Sequence, residues 1–381
     1  MSYHRCPHDP CVYARELECG GHVGMTLYVD DGQNYYDDTP TARAAGEADC
    51  KLLSDRFNIK FGEPDPVDDY FLGANRIMSK DRSVVMINAE SYIRAMVERY
   101  CDGDVSNSKQ FPAHWSHVPA DEELVRAHEA AVQNRTPASP KLFTDFNSLV
   151  GSLRHVVKYR PEISAAMDLL GCCLTFPTDE LLRLAYRVLV YLGRNRRLGC
   201  CYSKHAPNAG KLFARADSNW REVRSTSGFC IFLGGSVISH RCIRQKCISM
   251  SSTEAELVAL AECAIELLHV IGLVRFLGLK IDGPVEVETD NKGAFDLCHR
   301  YSSAQNSRHI DRKMFKMREM RGAGIVTVKY VPTDDNTADL WTKILKNRQT
   351  FEKHRNVALN KSAGDGLLAG RTTAASGESA A

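Results

Sequence analysis

The second half of the sequence predicts an α/β (α+β) fold, in which helices flank a mixed five-stranded sheet. From about residue 211, apolar and polar residues alternate in short segments, which is typical of half-buried strands. Between these segments lie stretches with helical periodicity, and the longest of them covers residues 253–277. Strands that alternate with helices in this way favour a sheet covered by helices.

The predicted elements of this half can be placed in chain order. Gly234-Gly235 separates two alternating segments and is typical of a hairpin turn. In sequence, the elements are a strand at 212–216, hairpin strands at 228–233 and 236–240, a helix at 253–277, a strand at 285–289, a helix at 292–299, a strand at 325–331 and a helix at 336–345.

The rest of the chain divides into three regions that differ in composition and in the pattern of apolar residues. Residues 1–103 mix short apolar runs with turns and predict a strand at 25–29 and a helix at 91–100. Residues 104–205 predict a helical region that begins with a polar, exposed linker at 104–141, which is rich in Pro, Asn and Ser. Residues 206–346 hold the mixed sheet. Residues 347–381 are expected to be a disordered tail, since their end is rich in Ala, Gly, Ser and Thr.

The composition limits the class of protein. Of the 381 residues, 44% are hydrophobic and 25% are charged, which excludes a wholly disordered chain and a collagen-like fibre. Apolar runs such as 163–176 are shorter than a membrane span, so no membrane partner is expected. The 14 scattered cysteines form no C-x-x-C motif and predict free thiols inside the cell, in the cytoplasm or the nucleus. A net charge of +2 leaves nucleic acid open as a partner, because phosphate binds to local patches.

Four carboxylates stand where the predicted topology would bring them together. Asp217 ends the first strand, Glu256 lies in the first turn of the long helix, Asp290 ends a later strand, and Asp339 lies in the last helix. Clustered carboxylates repel one another unless a cation neutralises them, and hard oxygen ligands select Mg²⁺ or Mn²⁺. Two such ions about 3.5–4 Å apart activate water for phosphodiester hydrolysis. The four acids are therefore candidate catalytic and metal-binding residues.

Each acid also has an ordinary explanation. Asp217 is compatible with a turn, Glu256 with a capping box that starts at Thr253, and Asp290 with the N-cap of the next helix. Asp339 would suit any helix N-terminus. The ordered set, with one acid on each element, is harder to explain in this way.

The segments around these acids resemble the ribonuclease H domain of copia-type long-terminal-repeat retrotransposons. The matching segments are ADS at 216–218, RSTSGF at 224–229, SSTEAELVAL at 251–260, TDN at 289–291, RHID at 308–311 and YVPTDDNTADLWTK at 330–343. The resemblance implies Mg²⁺-dependent hydrolysis of the RNA strand of RNA–DNA hybrids, with Asp217, Glu256, Asp290 and Asp339 as the catalytic set. It departs from the family pattern at His240, at Cys242-Ile243 and at Phe315, none of which is a metal ligand in that pattern.

The first half resembles the later part of a copia-type reverse transcriptase and its connecting region. The matching segments are DPCVY at 9–13, LYVDD at 27–31, FLG at 71–73, SYI at 91–93, VGSL at 150–153, RPEI at 160–163 and RVLVYL at 187–192. The resemblance implies that Asp30 and Asp31 are the remnant of a polymerase motif, although Asp-Asp-Gly is also a common turn. The family's third carboxylate and triphosphate-binding residues lie well upstream of this motif, so the chain is expected not to polymerise DNA by itself.

Basic residues around the hairpin and after the second short helix are the candidate contacts to nucleic acid. They are Arg224, Arg244, Lys246, Arg308 and His309. Contacts of this kind to phosphate give sequence-independent, salt-dependent affinity. Any one of these side chains is equally compatible with an ordinary solvated charge.

Two other functions fit parts of the sequence. A decayed element would leave a non-catalytic nucleic-acid-binding remnant, but the retention of all four acids argues against this. An integrase shares the nuclease fold but carries its Glu last, on a late helix, whereas Glu256 comes second. The expected partners are an RNA–DNA hybrid and other Pol products of the same element.

Overall fold

The computed structural model describes residues 3–29, 31–62, 68–107, 109–221, 224–299 and 311–377; of residues 311–315 and 370–377 it describes the backbone alone. The chain divides into two units. The first comprises residues 1–66 with 265–283, and the second comprises residues 67–264 with 284–381. Because this division follows packing and not function, the domain boundaries predicted above stay predictions.

Among its described residues, the first unit contains an antiparallel sheet followed by a helix. Its elements are β1 (His4–Arg5), β2 (Val12–Glu16), β3 (His22–Tyr28), β4 (Asp31–Tyr36) and α1 (Pro40–Phe57), with strand order β1-β2-β3-β4. The predicted strand at 25–29 is part of β3. The Thr39 side chain accepts a hydrogen bond from the backbone of Ala42 and caps α1 at its N-terminus.

The second unit begins with another antiparallel sheet, in the order β5-β6-β7-β8. Its strands are β5 (Asp68–Phe71), β6 (Ala74–Met78), β7 (Val84–Asn88) and β8 (Gly199–Ser203). Between β7 and β8 lie five helices: α2 (Glu90–Cys101), α3 (Glu122–Asn134), α4 (Pro140–Val156), α5 (Ser164–Gly171) and α6 (Asp179–Arg194).

The predicted polar linker at 104–141 is wrong. This stretch contains a 3₁₀ turn at Ala113–Ser116 and the whole of α3, and it buries Trp115 and Leu124 in the core. Its polar residues misled the prediction because several of them are helix caps. Asp121 accepts from the backbone of Glu123 at the start of α3, and Ser139 accepts from the backbone of Leu142 at the start of α4.

The predicted mixed five-stranded sheet is confirmed. Its strands are β9 (Phe213–Asn219), β10 (Thr226–Leu233), β11 (Ser236–Arg244), β12 (Val285–Thr289) and β13 (Val326–Tyr330), in the order β11-β10-β9-β12-β13. The pairs β11–β10 and β10–β9 are antiparallel, whereas β12 runs parallel to both β9 and β13. The hairpin turns at Gly234 and Gly235, where φ is 66° and 87°. Positive φ at both turn positions is what a two-residue hairpin of this kind requires.

The helices of this part of the chain are α7 (Ser252–Phe276), α8 (Lys292–His299), α9 (Asp311–Gly322) and α10 (Asp339–Thr342). The last is shorter than the predicted helix at 336–345. The helix α7 is long and apolar enough to cross a membrane, although no membrane-spanning segment was expected from the sequence. Of its most apolar window, 61% is buried inside the protein, as in the core helix of a globular domain.

The expected disordered tail is wrong for residues 348–369. The helices α11 (Arg348–Leu359) and α12 (Lys361–Gly377) follow the sheet, and Phe351, Ala358 and Leu359 of α11 are buried. Leu367 of α12 packs with Met86 and Cys201 in a small apolar cluster. The Ala/Gly/Ser/Thr-rich composition of the tail as a whole concealed this apolar face.

Candidate metal centre

Three of the predicted acids converge at one end of the five-stranded sheet. One carboxylate oxygen each from Asp217, Glu256 and Asp290 lies within 4.8 Å of the others. Asp217 and Glu256 are 2% and 5% exposed. Oxygen donors at this spacing suit a small, hard cation such as Mg²⁺ or Mn²⁺.

Strand pairing explains why Asp217 and Asp290 meet. Asp217 lies near the end of β9, and Asp290 directly follows β12. The two strands are parallel neighbours, with Ala214 opposite Val287. The carboxyl ends of parallel strands point the same way, so the two acids lie at the same edge of the sheet.

Glu256 comes to this edge from the first turns of α7 and is held by Ser218. The backbone N–H and the hydroxyl of Ser218 donate to Glu256 Oε1 at 3.0 and 2.9 Å. Glu256 Oε2 is buried and has no hydrogen-bond partner among the described residues. A buried carboxylate oxygen in this state is costly unless a cation satisfies it. The unsatisfied Glu256 Oε2 is therefore evidence for a metal site that is independent of the clustering of the acids.

Neighbouring polar side chains fix the other two carboxylates. Thr342 donates a short hydrogen bond from its hydroxyl to Asp217 Oδ2. Asn336 donates from Nδ2 to Asp290 Oδ1 at 3.2 Å and to the backbone oxygen of Ala216 at 3.1 Å. The loop before α10 thereby ties β9 to the end of β12.

Asp339, the fourth predicted acid, is not among the three that converge. It is 7% exposed, and its Oδ1 accepts from Lys343 Nζ at 2.7 Å. The same Nζ lies 3.4 Å from Asp217 Oδ2. Lys343 ends the motif at 330–343, but no role was predicted for it. Its spacing of four residues after Asp339 was the available signal, since residues i and i+4 of a helical turn face each other.

Burial and mutual repulsion oppose ionisation of the acids. Burial, and to a smaller extent the charge of Asp290, raises the pKa of Glu256 from 4.5 to about 7. The hydrogen bonds from Ser218 act in the opposite direction and lower this pKa. Burial, together with the charges of Glu256 and Asp339, also raises the pKa of Asp217 well above its usual range. Burial opposes the charge of Lys343, but Asp217 and Asp339 outweigh it and raise the pKa of this ammonium. The charged forms of Asp217 and Glu256 are therefore disfavoured unless a cation neutralises them.

The predicted nucleic-acid contacts divide into three groups. Arg224 and Lys246 are exposed and flank the end of the β10–β11 hairpin at which Thr226 pairs with Arg244. Arg308 and His309 lie outside the described residues.

Arg244 has its own partners within the second unit. Its Nη2 lies 3.2 Å from His128 Nε2, and its Nε lies 3.5 Å from Asp168 Oδ2. Burial and then the charge of Arg244 lower the pKa of His128 to about 4. Arg244 thus joins β11 to α3 and α5, so a role in binding phosphate stays a prediction.

The polymerase-like motif lies in the first unit. Asp31 begins β4 opposite Tyr28 and is exposed, while Asp30 lies outside the described residues. The part of this motif that is described is a hairpin turn, with Val29 in the left-handed region at a φ of 53°.

Comparison with known proteins gives the family. The chain is 32% identical over 213 residues to the Pol polyprotein from transposon RE1 of Arabidopsis thaliana, and 26% identical over 359 residues to that from transposon TNT 1-94 of Nicotiana tabacum. These alignments cover 55% and 92% of this chain. The homologues of this chain are Pol polyproteins of copia-type and Ty1 retrotransposons. The resemblance inferred from its motifs is confirmed.

The chain spans a small part of these relatives, 14% of the RE1 polyprotein and 25% of the TNT 1-94 polyprotein. No protein-family model matches it. Among solved structures, ribonuclease H1 from the halophilic archaeon Halobacterium salinarum is 18% identical, with 35% of this chain and 94% of that chain covered and a TM-score of 0.26. A TM-score this low adds nothing to the strand order given above.

Proposed function

We propose that this chain is a divalent-metal-dependent ribonuclease that hydrolyses the RNA strand of an RNA–DNA hybrid. Two observations carry the proposal: Asp217, Glu256 and Asp290 converge, and Glu256 Oε2 is buried without a hydrogen-bond partner among the described residues. The similarity to retrotransposon Pol polyproteins and the mixed sheet support it. When bound, divalent ions supply Lewis-acid activation of water and neutralise charge on the leaving oxygen.

The chain's own residues have distinct roles in this proposal. Asp217, Glu256 and Asp290 offer the metal ligands, and Asp339 is the fourth acid of the proposed two-ion set. Ser218 and Asn336 act as positioning residues, because they fix one oxygen each of Glu256 and Asp290 and leave the other oxygen available. Water is the nucleophile, and no covalent intermediate with the protein is needed.

The substrate would lie along the exposed end of the hairpin. Thr226 pairs with both Asn219 and Arg244, so Arg224 and Lys246 project from the same end of the sheet as Asp217. Cations next to an acidic centre are suited to hold the two sugar-phosphate backbones while a phosphodiester bond approaches the metal ligands. We propose that Arg224 and Lys246 form this contact and that Arg308 and His309 extend it.

The test is cleavage of a hybrid labelled on its RNA strand in the presence of Mg²⁺. The wild-type chain, Asp290→Asn and Asp296→Asn are compared, with single-stranded RNA and duplex DNA as control substrates. Asp296 is the matched control because it is a carboxylate on α8 of the same unit and is not among the three acids that converge. We expect cleavage of the hybrid alone, by the wild type and Asp296→Asn but not by Asp290→Asn. Equal cleavage by Asp290→Asn, or none by the wild type, would contradict the proposal.

A further inference from the structure

A lysine side chain lies where two of the four predicted acids would share a cation. Lys343 Nζ is 2.7 Å from Asp339 Oδ1 and 3.4 Å from Asp217 Oδ2. The side chains of these two acids are only 10% and 2% exposed. An ammonium group therefore neutralises Asp339 inside the protein.

The arrangement separates the four acids into two groups with different cations. Asp217, Glu256 and Asp290 form the group that suits a divalent ion, and Asp339 is outside it. Asp217 belongs to both groups, because its Oδ2 also faces Lys343. A divalent ion placed between Asp217 and Asp339 would meet the positive charge of Lys343 at close range, and like charges at this distance repel strongly.

Lys343 is nevertheless placed so that it can leave. It is the residue after the last turn of α10, with extended backbone, and its side chain is 36% exposed. Its backbone N–H donates to the backbone oxygen of Asp339 at 3.0 Å, so the main chain stays anchored when the side chain moves. The ammonium can therefore rotate into solvent without unfolding the site.

We propose that Lys343 is a built-in cation of the centre: the free chain binds one divalent ion at Asp217, Glu256 and Asp290, and a second ion enters only when Lys343 withdraws from Asp339. The inference rests on the proposed function, in which two divalent ions take part in hydrolysis. It adds that the two sites are unequal and that a residue of the chain competes for the second.

Counting bound Mn²⁺ by electron paramagnetic resonance on the full 381-residue chain tests this. We expect one tightly bound ion per wild-type chain. Lys343→Met keeps the length of the side chain without its charge, and we expect it to bind a second ion at least ten-fold more tightly than the wild type. Lys343→Arg retains the charge and should behave as the wild type does.

Lys346→Met is the matched control. Lys346 is exposed and pairs with Glu122, so its loss removes a nearby positive charge without touching the acids. It should leave the count at one, and Asp290→Asn should abolish the first ion. Thermal unfolding of each variant without metal confirms that the chain is folded.

The outcomes separate this inference from the proposed function. Equal numbers and affinities of Mn²⁺ in the wild type and Lys343→Met would overturn the inference, even if the wild type cleaves a hybrid. A second ion in Lys343→Met, together with no hybrid cleavage by the wild type, would support the inference and contradict the proposed function. Failure of both chains to bind any Mn²⁺ would overturn both.

Discussion

Ser218 holds Glu256 through two hydrogen bonds to the same oxygen, one from its backbone N–H at 3.0 Å and one from its hydroxyl at 2.9 Å. Ser218 is itself the neighbour of Asp217 on β9. Strand β9 thereby supplies one carboxylate through Asp217 and orients a second carboxylate, that of Glu256, through Ser218. The helix α7 is coupled to the sheet at the point where the proposed metal would bind.

The first prediction concerns this contact. Ser218→Ala removes the hydroxyl and leaves the backbone donor, so the ionised form of Glu256 loses part of its support. We expect Mn²⁺ binding to weaken at least about ten-fold, which corresponds to about 1.5 kcal/mol for one hydrogen bond to a charged group. Isothermal titration calorimetry measures the change. Ser203→Ala, which removes another buried serine hydroxyl on a strand of a different sheet, should bind as the wild type does.

The second prediction is a dependence of stability on pH. Because the pKa of Glu256 is about 7 in the folded chain and 4.5 when unperturbed, the folded state holds a proton that the unfolded state has lost between these pH values. Stability without metal should therefore fall as pH rises from about 4.5 to about 7, by on the order of 2 kcal/mol. The raised pKa of Asp217 acts in the same direction.

Urea unfolding at a series of pH values measures this slope. Glu256→Gln should flatten it, because glutamine does not titrate. Saturating Mg²⁺ should also flatten it, since metal binding requires the charged carboxylates and releases their protons. A stability that rises across this range in the metal-free chain would contradict the assignment of the raised pKa.

The third prediction concerns a buried ion pair in the helical part of the second unit. Arg160 and Glu162 are both fully enclosed, and their side chains meet at 2.7 Å. Glu162→Gln leaves the guanidinium of Arg160 without its counter-charge. We expect a loss of about 3–5 kcal/mol in the free energy of unfolding.

An exposed pair supplies the comparison for this prediction. Arg183 and Glu123 also form an ion pair, but their side chains are 44% and 37% exposed. Glu123→Gln should change the stability by no more than about 1 kcal/mol, because solvent screens the charges. Similar losses in the two variants would show that the burial of the Arg160–Glu162 pair does not matter.

The fourth prediction tests the helix α11, which replaced the expected disordered tail. The ring of Phe351 is 3% exposed and meets the ring of Tyr191 edge-on, with centroids 5.9 Å apart. Phe351→Ala should cost about 3–5 kcal/mol of stability, as for other buried aromatic side chains. Val357→Ala, on the exposed face of the same helix, should cost far less. An unchanged midpoint for Phe351→Ala in urea would mean that the tail does not pack.

The sequence predicted those elements that have strong local signals. Alternation and Gly234-Gly235 located β10 and β11, and the order of elements led to the mixed sheet. Three acids converge because each ends a strand or begins a helix, which is a property that spacing along the chain reveals. The resemblance to copia-type elements pointed to the same residues.

Other features depended on contacts between distant segments. The helix α3 was missed because its polar residues cap helices, and a cap is indistinguishable by composition from a linker. The pairing of Lys343 with Asp339 is local, but the approach of Lys343 to Asp217 depends on how α10 packs against the sheet. Arg244 was predicted from its charge alone, whereas its partners, His128 and Asp168, lie on helices far back in the sequence.

The position of β9 between β10 and β12 has a consequence for the newly made chain. The hairpin partner β10 follows β9 at once, but β12 is made only after the whole of α7, and until then one side of β9 has no strand to pair with. An unpaired strand edge is a template for aggregation. Polypeptides that end before residue 285 should therefore be poorly soluble, and the centre that holds Asp217 and Asp290 forms only after β12 has been synthesised.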